Sequence, residues 1–281
     1  MNMKKIDVTK YLAYFFLILM TAIWLFPALF GLLTSFKSQG DIMQVGFHML
    51  PANWVVQNYV KILQNSSSAP ILTWFFNSLI VSTSHALLVV AIVSLTAFGY
   101  TRIDFKGRDL MFYSILAVSM FPSAVNIIPS YKIVDMFGWT NSFLALIVPG
   151  LGGVGSVFLV RQFMQGIPLE YDESAKMDGA TDFTIYLKVI LPLVRPVLIV
   201  TGMFAFVGSW NDFLWPTIVM SDVKKMPITA GLQLLQDLYG NYVMIGQLMS
   251  AAVIAMIPTV LLFIFAQKYF MDSLNLNVGL K

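Results

Sequence analysis

Between Lys61 and Arg102 the sequence holds no charged side chain, and from Tyr11 to Phe36 it holds none either. Each run is apolar and long enough for a helix to cross roughly 30 Å of hydrocarbon. Further apolar runs follow, and the spans expected are residues 11–36, 71–100, 110–128, 142–160, 193–215 and 244–266. Charged residues make up 11% of the chain and hydrophobic ones 58%, where soluble domains carry about a quarter charged residues. An all-α integral membrane protein with six transmembrane helices is therefore expected. A signal peptide would have a shorter apolar core and a small-residue cleavage site, so the first run reads as a retained span.

An even number of spans puts both termini on one side. Lys4, Lys5, Lys10, Arg102, Lys106, Arg108, Arg161, Lys176, Lys188, Arg195, Lys268 and Lys281 would share that side, twelve of the seventeen cations. Lys37, Lys61, Lys132, Lys224 and Lys225 would face away. The excess makes the shared side cytoplasmic. The expected organisation is a cytoplasmic N-terminus at 1–10, a first helix and external loop at 11–70, a transmembrane core at 71–270, and a cytoplasmic tail at 271–281. The polar stretch 38–68 is the external loop, and residues 217–242 form a second outer loop. In the fourth run Pro149, Gly150, Gly152, Gly153 and Gly155 soften the helix, and the glycines suit close helix packing.

Several chemistries are excluded by residue type. The absence of cysteine removes disulfides, thiolate metal sites and cysteine nucleophiles. His48 and His85 stand far apart and form no metal-ligand pair. The glycine-rich loop and lysine that cradle nucleotide phosphates are missing, as are nucleic-acid motifs and basic stripes. No bound cofactor is expected.

Residues 166–196 break the oily pattern. This stretch holds Glu170, Asp172, Glu173, Asp178 and Asp182, five of the fourteen acids in the chain. So much charge requires water or another protein. Pro168 suits the start of a helix whose positive end the acids favour. Gly179 falls where that helix should stop, and Thr181 fits the N-cap of the next. Pro192 and Pro196 then break or kink the chain where the oily run resumes. The stretch predicts a helical hairpin projecting from the membrane.

Its spacing is also specific. Glu173-Ser174-Ala175, three residues, Gly179, nine residues, Val189, one residue and Leu191-Pro192 resemble the EAA loop of binding-protein-dependent ABC importer permeases. Ser174 replaces the family's alanine and Val189 its isoleucine. Asp178-Gly179-Ala180 and Arg195-Pro196 further resemble the sugar-importer branch, in the manner of the smaller maltose-type permease subunit. Ser35-Phe36-Lys37, Asn58-Tyr59, Asn77-Ser78, the turn Phe105-Lys106-Gly107-Arg108 and Trp210-Asn211-Asp212-Phe213 also look like landmarks of that branch. The resemblance implies a type I importer permease fold whose hairpin carries a coupling helix. It implies as partners a second permease subunit, two ATPase subunits that hold ATP and Mg, and an extracytoplasmic solute-binding protein. The setting is the bacterial cytoplasmic membrane, with no nucleic acid involved and no enzymatic activity in this chain. Glu173, Ser174, Ala175, Asp178 and Gly179 would form the ATPase-coupling surface, with Tyr171 and Met177 as apolar anchors. The tail from Leu274 would reach between the ATPase subunits.

A solvated loop is the bland reading of the hairpin, and the fixed spacing argues against it. For the translocation path the candidates are Asn126, Trp210, Asn211 and Asp212. An acid at mid-bilayer costs on the order of 2.5–3.5 kcal/mol, so Asp212 must meet a water-filled cavity or lie near the outer end. With Trp210 and Asn211 it could bind sugar hydroxyls, the indole stacking on the apolar face of the sugar. Alternatively, Trp210 belongs to an interfacial aromatic belt and Asp212 is simply solvated. Asn126 either lines the path or bonds a neighbouring helix, and His85 reads as a helix–helix hydrogen-bond partner. The competing function is an ion-coupled secondary transporter acting without an ATPase, for which Asp212 and His85 are thin support.

Overall fold

The computed structural model describes residues 8–64, 69–239 and 245–275, and every regular element among them is helical. The chain falls into two compact units. One takes the described residues up to Ile71 together with Leu232–Met256, and the other takes Leu72–Gly231 with the described residues from Ile257 onward.

The first unit begins with α1 (Val8–Ser35), which contains Pro27 without a break. Two short helices follow, α2 (Gln39–Ile42) and α3 (Gln57–Gln64). The loop around them is held by polar contacts to the end of α1. Ser35 Oγ lies 2.7 Å from the Tyr59 hydroxyl, and Asn58 Nδ2 donates to the carbonyls of Ser35 and Lys37, each at 2.9 Å. Lys37 and Asp41 are both buried. The first donates to the His48 carbonyl, and a carboxylate oxygen of the second accepts from the Ala52 amide at 2.8 Å. Two separated sequence landmarks, Ser35-Phe36-Lys37 and Asn58-Tyr59, thus form one knot.

The second unit is built on α4 (Ile71–Arg102), a helix of 32 residues with no internal proline. Its buried side chains Val89, Val93, Ala97 and Tyr100 recur at helical spacing and form one face. After it come α5 (Arg108–Ser119), α6 (Ile127–Met136), α7 (Leu144–Ile147) and α8 (Val154–Gln165), and Phe112 of α5 and Val157 of α8 join the same core as the α4 face. The hairpin follows as α9 (Glu170–Met177) and α10 (Asp182–Ile185). A π-helical turn at Tyr186–Ile190 and the short α11 (Leu191–Leu193) then lead into α12 (Arg195–Asn211) and α13 (Leu214–Val219). The chain ends with α14 (Ile228–Tyr239) and α15 (Ile245–Asn275). Val160 and Met164 from α8 and Ile190, Val194 and Val197 from the return of the hairpin complete the core of this unit.

Among the described residues α1, α4 and α15 are each long and apolar enough to cross a membrane, and the number rises to 5 if each of two bent pairs is one span. The structure departs from the expected spans where proline falls beside other helix breakers. The third span is bent by 91° between Arg108–Ser119 and Ser123–Met136, with Pro122 at the break. The fourth is not one helix. Residues 148–153 separate α7 from α8, because Pro149 offers no N–H and Gly150 takes a left-handed φ of 86°. Close packing is found at Gly153, where an added Cβ would lie 3.1 Å from Val93. The fifth span ends early, at Asn211, and the stretch expected as an outer loop contains the helix α14. In the sixth, α15 runs past the expected end at residue 266 and into the expected tail. Ser67 of the external loop and residues 276–281 of the tail lie outside the described residues.

Candidate functional site

The hairpin obeys its local grammar. Thr181 caps α10, its hydroxyl accepting from the Thr184 amide at 3.3 Å. At the other end of the turn, Ala180 N–H donates to Ala175 O at 3.0 Å and Gly179 N–H to Lys176 O at 2.9 Å. This is a Schellman arrangement, and it requires the left-handed residue that Gly179 supplies with a φ of 78°. No heavy atom lies within 4 Å of a Cβ built on Gly179. Its role inside the chain is therefore conformational, and the space beside it is open.

What fixes α9 to the rest of the unit was not read from the sequence. Arg102, in the last turn of α4, places Nε 2.8 Å from Asp172 Oδ2, with the two side chains only 7% and 11% exposed. A second guanidinium nitrogen donates to the Ile167 carbonyl at 2.8 Å. The pair lines a recess of about 280 Å³ with Phe98, Thr101, Glu173 and Lys176. Removing one member of such a pair leaves an unpaired buried charge and costs about 3–5 kcal/mol. Lys176 pairs with Asp182 across the turn at 3.3 Å, both exposed, and contributes far less. The return strand of the hairpin is keyed to α4 as well. Tyr186 is buried with its hydroxyl 2.7 Å from Ser94 Oγ and its ring 5.3 Å from that of Phe98.

The motif divides cleanly between inside and outside. Ala175, Val189 and Leu191, all half-buried, pack against the apolar core, so the small side chain of Ala175 seats α9 on the bundle. Tyr171, Glu173, Ser174, Met177, Asp178 and Gly179 are exposed, Met177 at 88%. The outer face of α9 is thus an acidic surface with two apolar side chains on it. Ser174 turns its hydroxyl back to the Glu170 carbonyl at 2.7 Å.

The second group of candidates is only partly assembled. Trp210 is 1% exposed, stacked on Phe206 at 5.6 Å and meeting Phe75 edge-on at 5.6 Å. Phe206 covers one face of the indole and Phe75 meets its edge, so Trp210 sits within an aromatic cluster of the protein. Asn211 is exposed and Asp212 half-buried. Asp212 leaves the helix in extended backbone and accepts from the Trp215 amide at 3.3 Å. Thr229 donates to the Asp212 carbonyl at 2.8 Å. Asn126 sits exposed on the 3₁₀ turn at the third-span bend. His85 meets the Ile147 carbonyl at 2.8 Å, where α7 ends, as expected of a helix–helix partner. No cluster of metal ligands occurs among the described residues.

Helices apolar enough to cross a membrane, with a polar hairpin fixed to them, define a helical membrane protein. The chain belongs to the family of binding-protein-dependent transport system inner membrane components, whose model matches residues 103–275. It is 32% identical over 264 residues to the arabinooligosaccharides transport system permease protein AraQ of Bacillus subtilis, covering 93% of this chain and 92% of that protein. It is 31% identical over 263 residues to the trehalose/maltose transport system permease protein MalG of Thermococcus litoralis, covering 92% of each. In fold it resembles a bacterial ABC transporter involved in import of the acidic polysaccharide alginate, with a TM-score of 0.82 at 20% identity, over 96% of this chain and 99% of that one. The chain is accordingly a permease subunit of an ABC importer, a transport component that performs no catalysis. The ion-coupled secondary transporter receives no support from these relatives.

Proposed function

We propose that this permease subunit forms the translocation path for a sugar or oligosaccharide, delivered by an extracytoplasmic binding protein. A second permease subunit completes the path, and two ATPase subunits, holding ATP and Mg, drive it. The related permeases for arabinooligosaccharides and for trehalose and maltose support the substrate class. One observation carries the coupling role: α9 is fixed inwardly by Arg102–Asp172 and Ala175 while Tyr171, Glu173, Met177 and Asp178 stay exposed. Glu173 and Asp178 offer charge-assisted bonds to a partner's Arg or Lys, and Tyr171 and Met177 offer apolar anchors. Asn126, Trp210, Asn211 and Asp212 are assigned to the path, Trp210 as part of its wall.

The proposed topology has six crossings, with both termini and the hairpin in the cytoplasm of a bacterial cell. Residues 71–270 form the permease core and 271–281 the cytoplasmic tail. Because the chain lacks cysteine, single substitutions report sidedness without background. An impermeant maleimide on intact cells should label Lys224→Cys and leave Asp178→Cys unlabelled until the membrane is opened; both positions are exposed on the protein. Labelling of Asp178→Cys in intact cells would reverse the topology.

A further inference from the structure

Motion received by α9 has two covalent or packed routes into the second unit. The sequence route passes through the π-helical turn at Tyr186–Ile190 and an 80° bend between Asp182–Leu193 and Arg195–Asn211. The other route is the Arg102–Asp172 pair into α4. Sharp bends and π-bulges are where helices yield. α4 has neither, nor the internal proline that α1 and α15 carry.

The far end of α4 is as firmly tied. Trp74 is fully buried, and its indole donates to the Val223 carbonyl at 2.6 Å. Asn77 donates to the carbonyls of Lys224 and Met226 at 2.8 and 3.0 Å. Ser78 Oγ accepts from the Ile228 amide at 2.7 Å. These three side chains grip the backbone of the outer loop that follows α13. At 1.5 Å per residue the helix separates Trp74 from Arg102 by about 42 Å.

We infer that α4 is a transmission rod. Its inner end is clamped to the coupling helix by Arg102–Asp172, and its outer end is clamped to the outer loop at residues 223–228 by Trp74, Asn77 and Ser78. Arg102 and Asp172 are then positioning residues, and displacement of the coupling helix reaches residues 223–228 through α4. This rests on the proposed function. Rigid secondary elements are among the structures that carry coupling between distant sites, and α4 is held at both ends.

The test is a double-substitution cycle on the assembled transporter in lipid nanodiscs, reading the stimulation of ATP hydrolysis by solute-loaded binding protein. Asp172→Asn removes the charge and keeps the shape; stimulation should fall about tenfold, the size of a typical site-to-site coupling. Trp74→Phe keeps the ring and loses the indole donor; stimulation should fall about fivefold, the worth of one hydrogen bond. A rod released at one end gains nothing from its other clamp, so the double variant should match Asp172→Asn alone. Independent effects would multiply to roughly fiftyfold, and that result would overturn the inference, as would unchanged stimulation in both single variants. ATPase co-purification is the control, and Arg102→Lys, which keeps the cation, should co-purify normally with intermediate stimulation. If the wild-type chain itself fails to co-purify with its ATPase, the fault lies in the proposed function on which the rod depends.

Discussion

Gly179→Asp should abolish uptake while the chain still reaches the membrane at its normal level. Gly179 has a φ of 78° and nothing within 4 Å of a built Cβ, so the isolated subunit tolerates the new side chain with only local strain. That strain is about 1–2 kcal/mol for a left-handed residue, at the lower end for aspartate. The larger effect falls on the partner. A carboxylate is added beside Asp178, on the open side of a turn that the proposed ATPase contact would cover, and burying a further charge there without a partner of its own costs several kcal/mol. ATPase association should drop about a hundredfold. Gly179→Ala carries the strain without the charge and should keep most transport. Co-purification and uptake measured together check this. Near-normal association in the aspartate variant would remove the coupling role from the hairpin.

Gly231→Val should act in the opposite way, on the fold and not on docking. A Cβ at Gly231 would sit 2.2 Å from Cε3 and 2.3 Å from Cδ2 of Trp74. The indole cannot retreat, because it is fully buried and held to the Val223 carbonyl. Either the ring or the backbone of α14 must move. Overpacking of this kind costs about 1–3 kcal/mol, which lowers the folded-to-unfolded ratio roughly 5- to 150-fold. The expected result is loss of the monodisperse peak on size exclusion, with recovery when Trp74→Leu is added to make room. A monodisperse, fully active Gly231→Val variant would show that the outer clamp is looser than its geometry implies.

The hairpin was legible because its signals are local. Thr181, Gly179, Pro192 and Pro196 each act through backbone chemistry within a turn of themselves, and each acts as the sequence implies. Arg102 and Asp172 carry no such signal. They lie on separate elements and meet only once α4 and α9 are packed, so the sequence shows them as two ordinary charges. Breaks inside apolar runs were read too mildly for a similar reason. Pro27 and Pro258 sit within unbroken helices, whereas Pro149 with Gly150 opens residues 148–153. A single proline in an apolar run does not say which outcome follows. Trp210 gives no local signal of its burial either, because an aromatic beside Asn211 and Asp212 suits a sugar platform and an aromatic belt alike. Only the packing of Phe206 and Phe75 shows both its face and its edge already taken.

In the proposed function, energy from ATP reaches this chain through the hairpin. Its most direct test is uptake by proteoliposomes containing the two permease subunits and their ATPases, with the binding protein and labelled oligosaccharide outside. ATP sealed inside should drive uptake, and no ion gradient should substitute for it. Uptake driven by an ion gradient in vesicles that lack ATP and ATPase would contradict the account.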